Sequence, residues 1–170
     1  MTIPVVIFAI GNPSRGDDAL GPLLLDRLTG WLDKQGLAGQ FELIEDFQLQ
    51  IEHALDLQGR EIALFIDAGD KTSGPFRFYP VEAATGVVHT THQLPPESVL
   101  QVYKLTENCA PPPAFVLCIR GEQFELGASL SGAAEQNLAQ AFSFLQQILI
   151  RPNLTTWLKA AELQVEDGSA

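Results

Sequence analysis

Three short and almost purely apolar runs recur along the chain: residues 4–10 (PVVIFAI), 62–68 (IALFIDA) and 114–119 (AFVLCI). Runs of this length without polar alternation are typical of strands that are buried on both faces of a parallel sheet. Between the first two runs, Leu20, Leu24 and Leu28 recur at helical spacing. Strands that alternate with helices in this way predict a three-layer α/β/α fold with a mostly parallel central sheet.

Further elements complete the predicted domain. We expect helices over residues 17–34, 51–57 and 95–105, a second strand over 41–45, and a short or edge strand over 76–79. Gly36 and Gly39 end the first helix, and Ser131 can cap a last long helix that Pro152 stops. Residues 1–152 form one domain in this prediction. Residues 153–170 form a C-terminal tail with a short amphipathic helix, which carries Leu154, Trp157, Leu158 and Ala161, and a disordered end.

Composition excludes several classes of protein. The chain has 170 residues and a formal net charge of -11, which repels phosphate backbones and makes a nucleic-acid partner improbable. No uninterrupted apolar stretch reaches the length of a membrane span. The two cysteines, Cys109 and Cys118, are too few for a disulfide framework, so we interpret them as buried thiols of a cytoplasmic protein.

Acidic side chains follow two strands that we expect to be neighbours. In a flavodoxin-like sheet of order 2-1-3-4-5, ligands bind beyond the carboxyl ends of the first and third strands. The first strand runs into Gly11-Asn12-Pro13-Ser14-Arg15-Gly16-Asp17-Asp18, and the third ends in Asp67-Ala68-Gly69-Asp70. Both loops deliver carboxylates to one crevice. The glycine-rich first loop lacks both phosphate-binding patterns, GxGxxG and GxxxxGK[ST].

The residue types leave two interpretations open. Asp17 or Asp18 can simply cap the following helix, whereas Asp67 at the end of a buried strand needs partners or a ligand. His53 is expected at the surface, and His89 and His92 in a loop.

Two carboxylates and one imidazole suit zinc, nickel or a similar metal. A nucleophile is not evident, because no Gly-x-Ser-x-Gly elbow is present and Cys118 lies inside a strand.

Four motifs, in order along the chain, resemble those of the hydrogenase maturation endopeptidases. They are residues 11–21 (GNPSRGDDALG), 65–68 (FIDA), 91–95 (THQLP) and 121–131 (GEQFELGASLS). One such motif is weak, but four in sequence over most of the chain are specific.

The resemblance implies a phosphorylase- or flavodoxin-like fold and a peptidase that clips the C-terminal extension from the precursor of a nickel–iron hydrogenase large subunit. It implies Asp18, Asp67 and His92 as the catalytic and metal-contacting residues, with Asp17 supporting or capping. His92 is preferred to His89 because of its distance from the helix that a proline opens. The metal that the resemblance implies is nickel supplied by the precursor, although another divalent metal is compatible. The protein is expected to be a cytoplasmic monomer.

Two segments depart from the family's common pattern. Ala19 stands where many members have glycine, and Asp46-Phe47-Gln48-Leu49 replaces Asp-Gly-Gly after the second strand. The second departure places the substrate-facing loop in question, but not the metal site. Residues 48–54 and the pair Pro95-Pro96 are more similar to the branch that serves NAD-reducing, bidirectional hydrogenases.

The sequence leaves the mechanism open. The metal can register the cleavage site, polarise the scissile carbonyl or activate a water, or one aspartate can act as the general base while the metal serves recognition. Two other classes compete with the protease. One is a non-catalytic nickel-binding or scaffolding module for the immature subunit. The other is a nucleotide- or flavin-binding domain, which the missing phosphate loop and the Asp17-Asp18 pair disfavour.

Overall fold

The computed structural model describes residues 2–87 and 93–168. In chain order, its strands and α-helices are β1 (Val5–Ile10), α1 (Leu20–Gln35), β2 (Phe41–Asp46), β3 (Ile62–Asp70), β4 (Phe76–Val81), α2 (Pro96–Glu107), β5 (Ala114–Gly121), α3 (Gly132–Leu149) and α4 (Leu154–Gly168). Short 3-10 helices occupy Gly16–Ala19, Ala38–Gln40 and Ile51–Leu57. Each predicted helix and strand in the described ranges is present within a few residues of its expected bounds.

The strands form one sheet in the order β2-β1-β3-β5-β4. Strands β2, β1, β3 and β5 run parallel to one another, and β4 is antiparallel to β5. This arrangement confirms the mostly parallel sheet. The predicted order 2-1-3-4-5 counts residues 114–119 as the fourth buried strand, and that strand, here β5, does lie beside β3. The short strand predicted over residues 76–79 is the edge strand β4. A parallel neighbour of β3 needs a crossover of a dozen or more residues. Residues 71–75 are too short for one, so β4 turns back and lies outside β5.

Side chains alternate between the two faces of the sheet, and each face has its own apolar core. Val5, Ile7 and Ala9 pack in a cluster with α1, α3 and α4. Val6, Phe8 and Ile10 pack in a second cluster with α2 and the 3-10 helix Ile51–Leu57. Helices therefore cover both faces, as the uninterrupted apolar runs predicted, and the fold is a three-layer α/β/α sandwich.

Helix boundaries follow the local signals in the sequence. α1 ends at Gly36, which adopts a left-handed φ of 70° that glycine tolerates without strain. Pro95 and Pro96 open α2. Ser131 caps α3 by accepting a hydrogen bond from the backbone N–H of Ala134 at 3.1 Å. None of the helices in the described ranges is long and apolar enough to cross a membrane.

The C-terminal helix α4 packs against the sheet through Trp157, which is 0% exposed. The indole lies edge-on to Phe78 and Phe115, and its Nε1 donates to the carbonyl of Ile148 at 3.0 Å. Further along α4, the amide of Gln164 hydrogen-bonds the backbone of Phe76 and Phe78 in β4. The helix therefore covers the open edge of the sheet, which would otherwise offer unpaired backbone groups.

Trp157→Phe is expected to destabilise the protein by about 1–2 kcal/mol, because the buried carbonyl of Ile148 loses its partner while most of the aromatic packing is kept. Urea unfolding monitored by circular dichroism measures this change. Lys159→Ala, on the exposed side of α4, is the matched control and should leave stability within about 0.5 kcal/mol. Equal stability of the Trp157→Phe protein and the wild type would contradict the role given to the indole N–H.

Two side chains lie elsewhere than predicted. His53 is buried, with 6% exposure, because its ring nitrogens find polar partners in the fold. Cys109 is exposed and Cys118 only partly buried, so the expectation of two buried thiols is wrong for Cys109. Cys109 follows the end of α2, where the chain turns through Asn108 with a positive φ of 56° and faces solvent.

Candidate active site

The carboxyl ends of β1 and β3 bring two acidic loops together. β1 and β3 are parallel neighbours, with Ala9 opposite Ile66, and Asp67 follows Ile66 directly. Asp18 lies on the 3-10 helix Gly16–Ala19, which leaves β1 and contacts β3. The two loops are therefore neighbours, as the strand order predicted, although about 50 residues separate them in the chain.

Asp67 is a partly buried carboxyl group with a raised pKa of about 7. Burial is the main cause, since a charged carboxylate loses hydration at the end of a buried strand, and the negative charge of Asp18 raises the pKa further. The backbone N–H of Ala68, which donates to Oδ1 at 2.8 Å, opposes both effects. Asp67 therefore changes its protonation state near neutral pH.

Asp18 is held in place by the loop that precedes it. Its Oδ2 accepts a hydrogen bond from the backbone N–H of Asn12 at 2.6 Å. Gly11 packs directly on the backbone of Asp18, since a Cβ at position 11 would lie 2.0 Å from the Asp18 carbonyl oxygen. Gly11 also has a φ of 153°, so only glycine fits between β1 and the acidic residue.

Asp17 has a structural role, and its hydrogen-bond partners are different from those of Asp18. It is 0% exposed and accepts hydrogen bonds from the backbone of Glu122 and Gln123 and from both the N–H and the hydroxyl of Ser131. Burial raises the pKa of this carboxyl group, but the four hydrogen bonds outweigh burial and leave it lowered. Asp17 thereby ties the start of α1 to the loop before α3.

The capping interpretation of the acidic pair is wrong. The N-cap residues are Arg15 for the 3-10 helix and Ala19 for α1, and neither helix start receives a side-chain cap. Asp17 is instead directed across the fold, and Asp18 turns back to the Asn12 backbone. The two adjacent carboxylates therefore have separate partners, and Asp18 is the one whose charge raises the pKa of Asp67.

The predicted imidazole partner, His92, lies outside the described residues, as does His89. Within residues 2–87 and 93–168, no group of three or more His, Cys, Asp or Glu side chains is arranged to hold a metal. In the same ranges, Asp18 and Asp67 each use one carboxylate oxygen to accept a backbone hydrogen bond. Their second oxygens suit a metal that accepts oxygen ligands and takes further ligands from elsewhere.

A cavity of about 440 Å³ opens beside Asp67, between the sheet and the start of α2. Its lining combines an apolar floor with a few polar side chains. Residues from the sheet are Ile10, Phe65, Ile66, Asp67, Ala68, Tyr79, Val116 and Cys118, and those from the loops and α2 include Leu49, Leu94 and Glu97. An apolar cleft of this size with a few polar groups is typical of a binding site.

Sequence reasoning missed Tyr79 and Glu97 as cavity residues. Glu97 in the first turn of α2 carried a detectable signal, because the helix opened by Pro96 begins at the carboxyl edge of the sheet. Tyr79 gave none, since β4 joins the far edge only through its pairing with β5. Burial raises the pKa of the Cys118 thiol, which keeps it neutral and unsuited to act as a nucleophile.

No family model matches the chain, and no curated protein matches it either. Solved structures do. A NiFe hydrogenase maturation protease HycI from Thermococcus kodakarensis KOD1 is 20% identical with a TM-score of 0.64, over 88% of this chain and 94% of that one. The hydrogenase maturating endopeptidase HybD from E. coli is 16% identical with a TM-score of 0.58, over 85% and 93%.

A hydrogenase 2 maturation peptidase from Thaumarchaeota archaeon SCGC_AB-539-E09 is 19% identical with a TM-score of 0.61, over 86% of this chain and 97% of that one. The similarity extends over nearly the whole length of each of these proteins. The chain therefore has the fold of the hydrogenase maturation proteases of known structure.

Proposed function

We propose that the chain is an endopeptidase that removes the C-terminal extension of a nickel–iron hydrogenase large-subunit precursor after nickel insertion. The observation that carries the proposal is the meeting of Asp18 and Asp67 at the carboxyl edge of this particular fold. The motif resemblance supports it, because both aspartates stand at the positions where the family places its metal-contacting acids.

In this proposal the nickel belongs to the substrate. Asp18, Asp67 and His92 contact the metal that the precursor already holds and thereby register the bond to be cut. Two carboxylate oxygens and one imidazole nitrogen are an acceptable donor set for nickel or another borderline divalent metal. The protein then needs no metal of its own.

The cavity beside Asp67 complements the metal contact. The cleft beside Asp67 offers an apolar surface for the chain that flanks the scissile bond. Asp67 has a pKa of about 7 in the metal-free protein. A divalent metal beside it lowers that pKa, so Asp67 contacts the nickel as a carboxylate. Within the described residues the site presents no activated serine or cysteine, which favours attack by water.

A direct test measures the mass of the purified precursor before and after incubation with the protein. We expect loss of the C-terminal extension only when both the protein and nickel-loaded precursor are present. The competing scaffolding module predicts a stoichiometric complex on size-exclusion chromatography with no change in precursor mass. Precursors from NAD-reducing and other hydrogenases, compared side by side, test the predicted branch.

His92→Ala is expected to lower the rate of nickel-dependent processing at least tenfold, because the metal loses a ligand. His89→Ala is the matched control, three positions away, and should be processed at close to the wild-type rate. The rate is measured by quantifying cleaved precursor over time by mass spectrometry. Wild-type processing by His92→Ala, or an equal loss in both variants, would contradict the assignment of His92.

The cellular setting is part of the proposal. We expect the protein to act in the cytoplasm, as a monomer, on the hydrogenase large-subunit precursor. Its net charge of -11 disfavours nucleic-acid partners. Light scattering of the purified protein, alone and with the precursor, measures its oligomeric state.

A further inference from the structure

His53 is a buried, titratable side chain that the proposed reaction does not use. It lies on the 3-10 helix Ile51–Leu57, is 6% exposed, and meets the ring of Phe8 edge-on at 5.8 Å. Its Nδ1 accepts a hydrogen bond from the backbone N–H of Gln50 at 2.8 Å. Because Nδ1 is an acceptor, the proton of the neutral ring lies on Nε2.

The protonated nitrogen of His53 faces Asp46, the last residue of β2. Nε2 lies 3.3 Å from Asp46 Oδ2, while Oδ1 of the same carboxylate accepts the backbone N–H of Phe47 at 2.7 Å. The Asp46 side chain is therefore held from two sides, although almost half of its surface remains exposed. A buried ring with two polar partners has one orientation, which it imposes on the residue that it contacts.

Asp46 is in turn connected to the candidate site through the backbone. Its carbonyl oxygen accepts the N–H of Gly11 at 3.0 Å, directly beyond the paired ends of β1 and β2. Gly11 packs on the Asp18 backbone, and the next N–H, that of Asn12, donates to Asp18 Oδ2 at 2.6 Å. A continuous series of short contacts thus runs from His53 to the Asp18 carboxylate.

We propose that His53 is a positioning residue for Asp18, acting through Asp46 and the Gly11-Asn12 backbone. The contacts given above support this role for His53, and they do not depend on what the Asp18 carboxylate does in the reaction. The consequence for catalysis rests on the proposed function. Displacing Asp46 frees the Gly11-Asn12 segment to move, and Asp18 then loses the donor that orients it.

Two substitutions of His53 test the contacts of its two ring nitrogens separately. In His53→Asn the amide oxygen stands near the position of Nδ1 and keeps the Gln50 contact, but nothing reaches Asp46. In His53→Gln the longer amide donates near the position of Nε2 and keeps the Asp46 contact, while the Gln50 contact is lost. A merely structural cap of the 3-10 helix is preserved by His53→Asn, whereas the positioning role is preserved by His53→Gln.

The first measurement is amide hydrogen exchange, which does not depend on activity. We expect Gly11 and Asn12 to exchange about tenfold faster in His53→Asn than in the wild type, and close to the wild-type rate in His53→Gln. The amide of Leu117 in the centre of β5 should exchange equally slowly in all three proteins, which shows that the fold is intact.

The second measurement is precursor processing. We expect His53→Asn to lower kcat about tenfold with little change in KM, and His53→Gln to restore the wild-type kcat. If the wild type does not process any precursor, the proposed function fails, while the exchange measurement still decides the positioning role.

Exchange at Gly11 and Asn12 that is the same in the two His53 variants, or faster in His53→Gln, would overturn the inference. If His53→Asn does not fold, Asp46→Ala takes its place, because it removes the carboxylate and leaves the His53 contact with Gln50. Unchanged exchange at Gly11 and Asn12 in that variant would also overturn it.

Discussion

Replacing Asp67 by asparagine is expected to stop precursor processing and, at the same time, to stabilise the metal-free protein at neutral pH. The loss of activity, about 100-fold or more, follows from removing a proposed ligand of the precursor's metal. The gain in stability follows from removing a carboxylate that the fold has to hold without adequate hydration.

The direction of the pH dependence follows from the raised pKa. In the folded protein Asp67 has a pKa of about 7, against the ordinary value of 3.8. Between these two pH values the folded state binds the proton more tightly than the unfolded state, so stability falls as the pH rises from about 4 to 7. At about 1.4 kcal/mol per pKa unit the loss is at most about 4 kcal/mol. Partial solvent access at Asp67 lowers our expectation to about 2 kcal/mol.

Urea unfolding of the wild type and of Asp67→Asn, at pH 5 and pH 8 with a chelator present, measures this effect. We expect the variant to gain stability relative to the wild type as the pH increases. Asp70→Asn, an exposed position at the end of the same strand, is the control and should show no such trend. A difference that is independent of pH would show that Asp67 titrates normally.

Replacing Asp17 by alanine is expected mainly to reduce stability, whereas replacing Asp18 by alanine is expected mainly to reduce precursor processing. Asp17→Ala leaves three backbone N–H groups and the Ser131 hydroxyl without their acceptor, so we expect a loss of about 3–4 kcal/mol in stability. Asp18→Ala removes one contact at a partly exposed position and should cost about 1 kcal/mol or less, while processing falls about 100-fold.

The two outcomes are separated by measuring unfolding and processing on the same preparations, below the melting temperature of the Asp17 variant. The lowered pKa of Asp17 adds a further check. Its stabilisation is present above the ordinary pKa near 3.8 and is lost as the pH falls through the folded-state pKa, so the difference from Asp17→Ala should shrink in acid. A stable Asp17→Ala protein without activity would reverse the roles given to the pair.

Part of the site was predictable because parallel strands obey a general rule. The apolar runs before Gly11 and around Asp67 identify two buried strands, and the rule for open sheets places their carboxyl ends at one crevice. The nomination of His92 came from the motif resemblance alone and remains a prediction. The cavity residue Tyr79 was not predictable, since it reaches the site through strand pairing across the sheet.

Apolar periodicity, glycines and prolines are local signals, and they determined by themselves where the helices and strands lie and that helices cover both faces of the sheet. The tertiary structure alone decided the antiparallel pairing of β4 with β5, the burial of His53 beside Asp46, and the difference between Asp17 and Asp18. Asp17 binds the backbone of Glu122 and the side chain of Ser131, which lie more than 100 residues away. Sequence spacing has no information on such partners, because burial and hydrogen bonding depend on which distant segments the fold brings together.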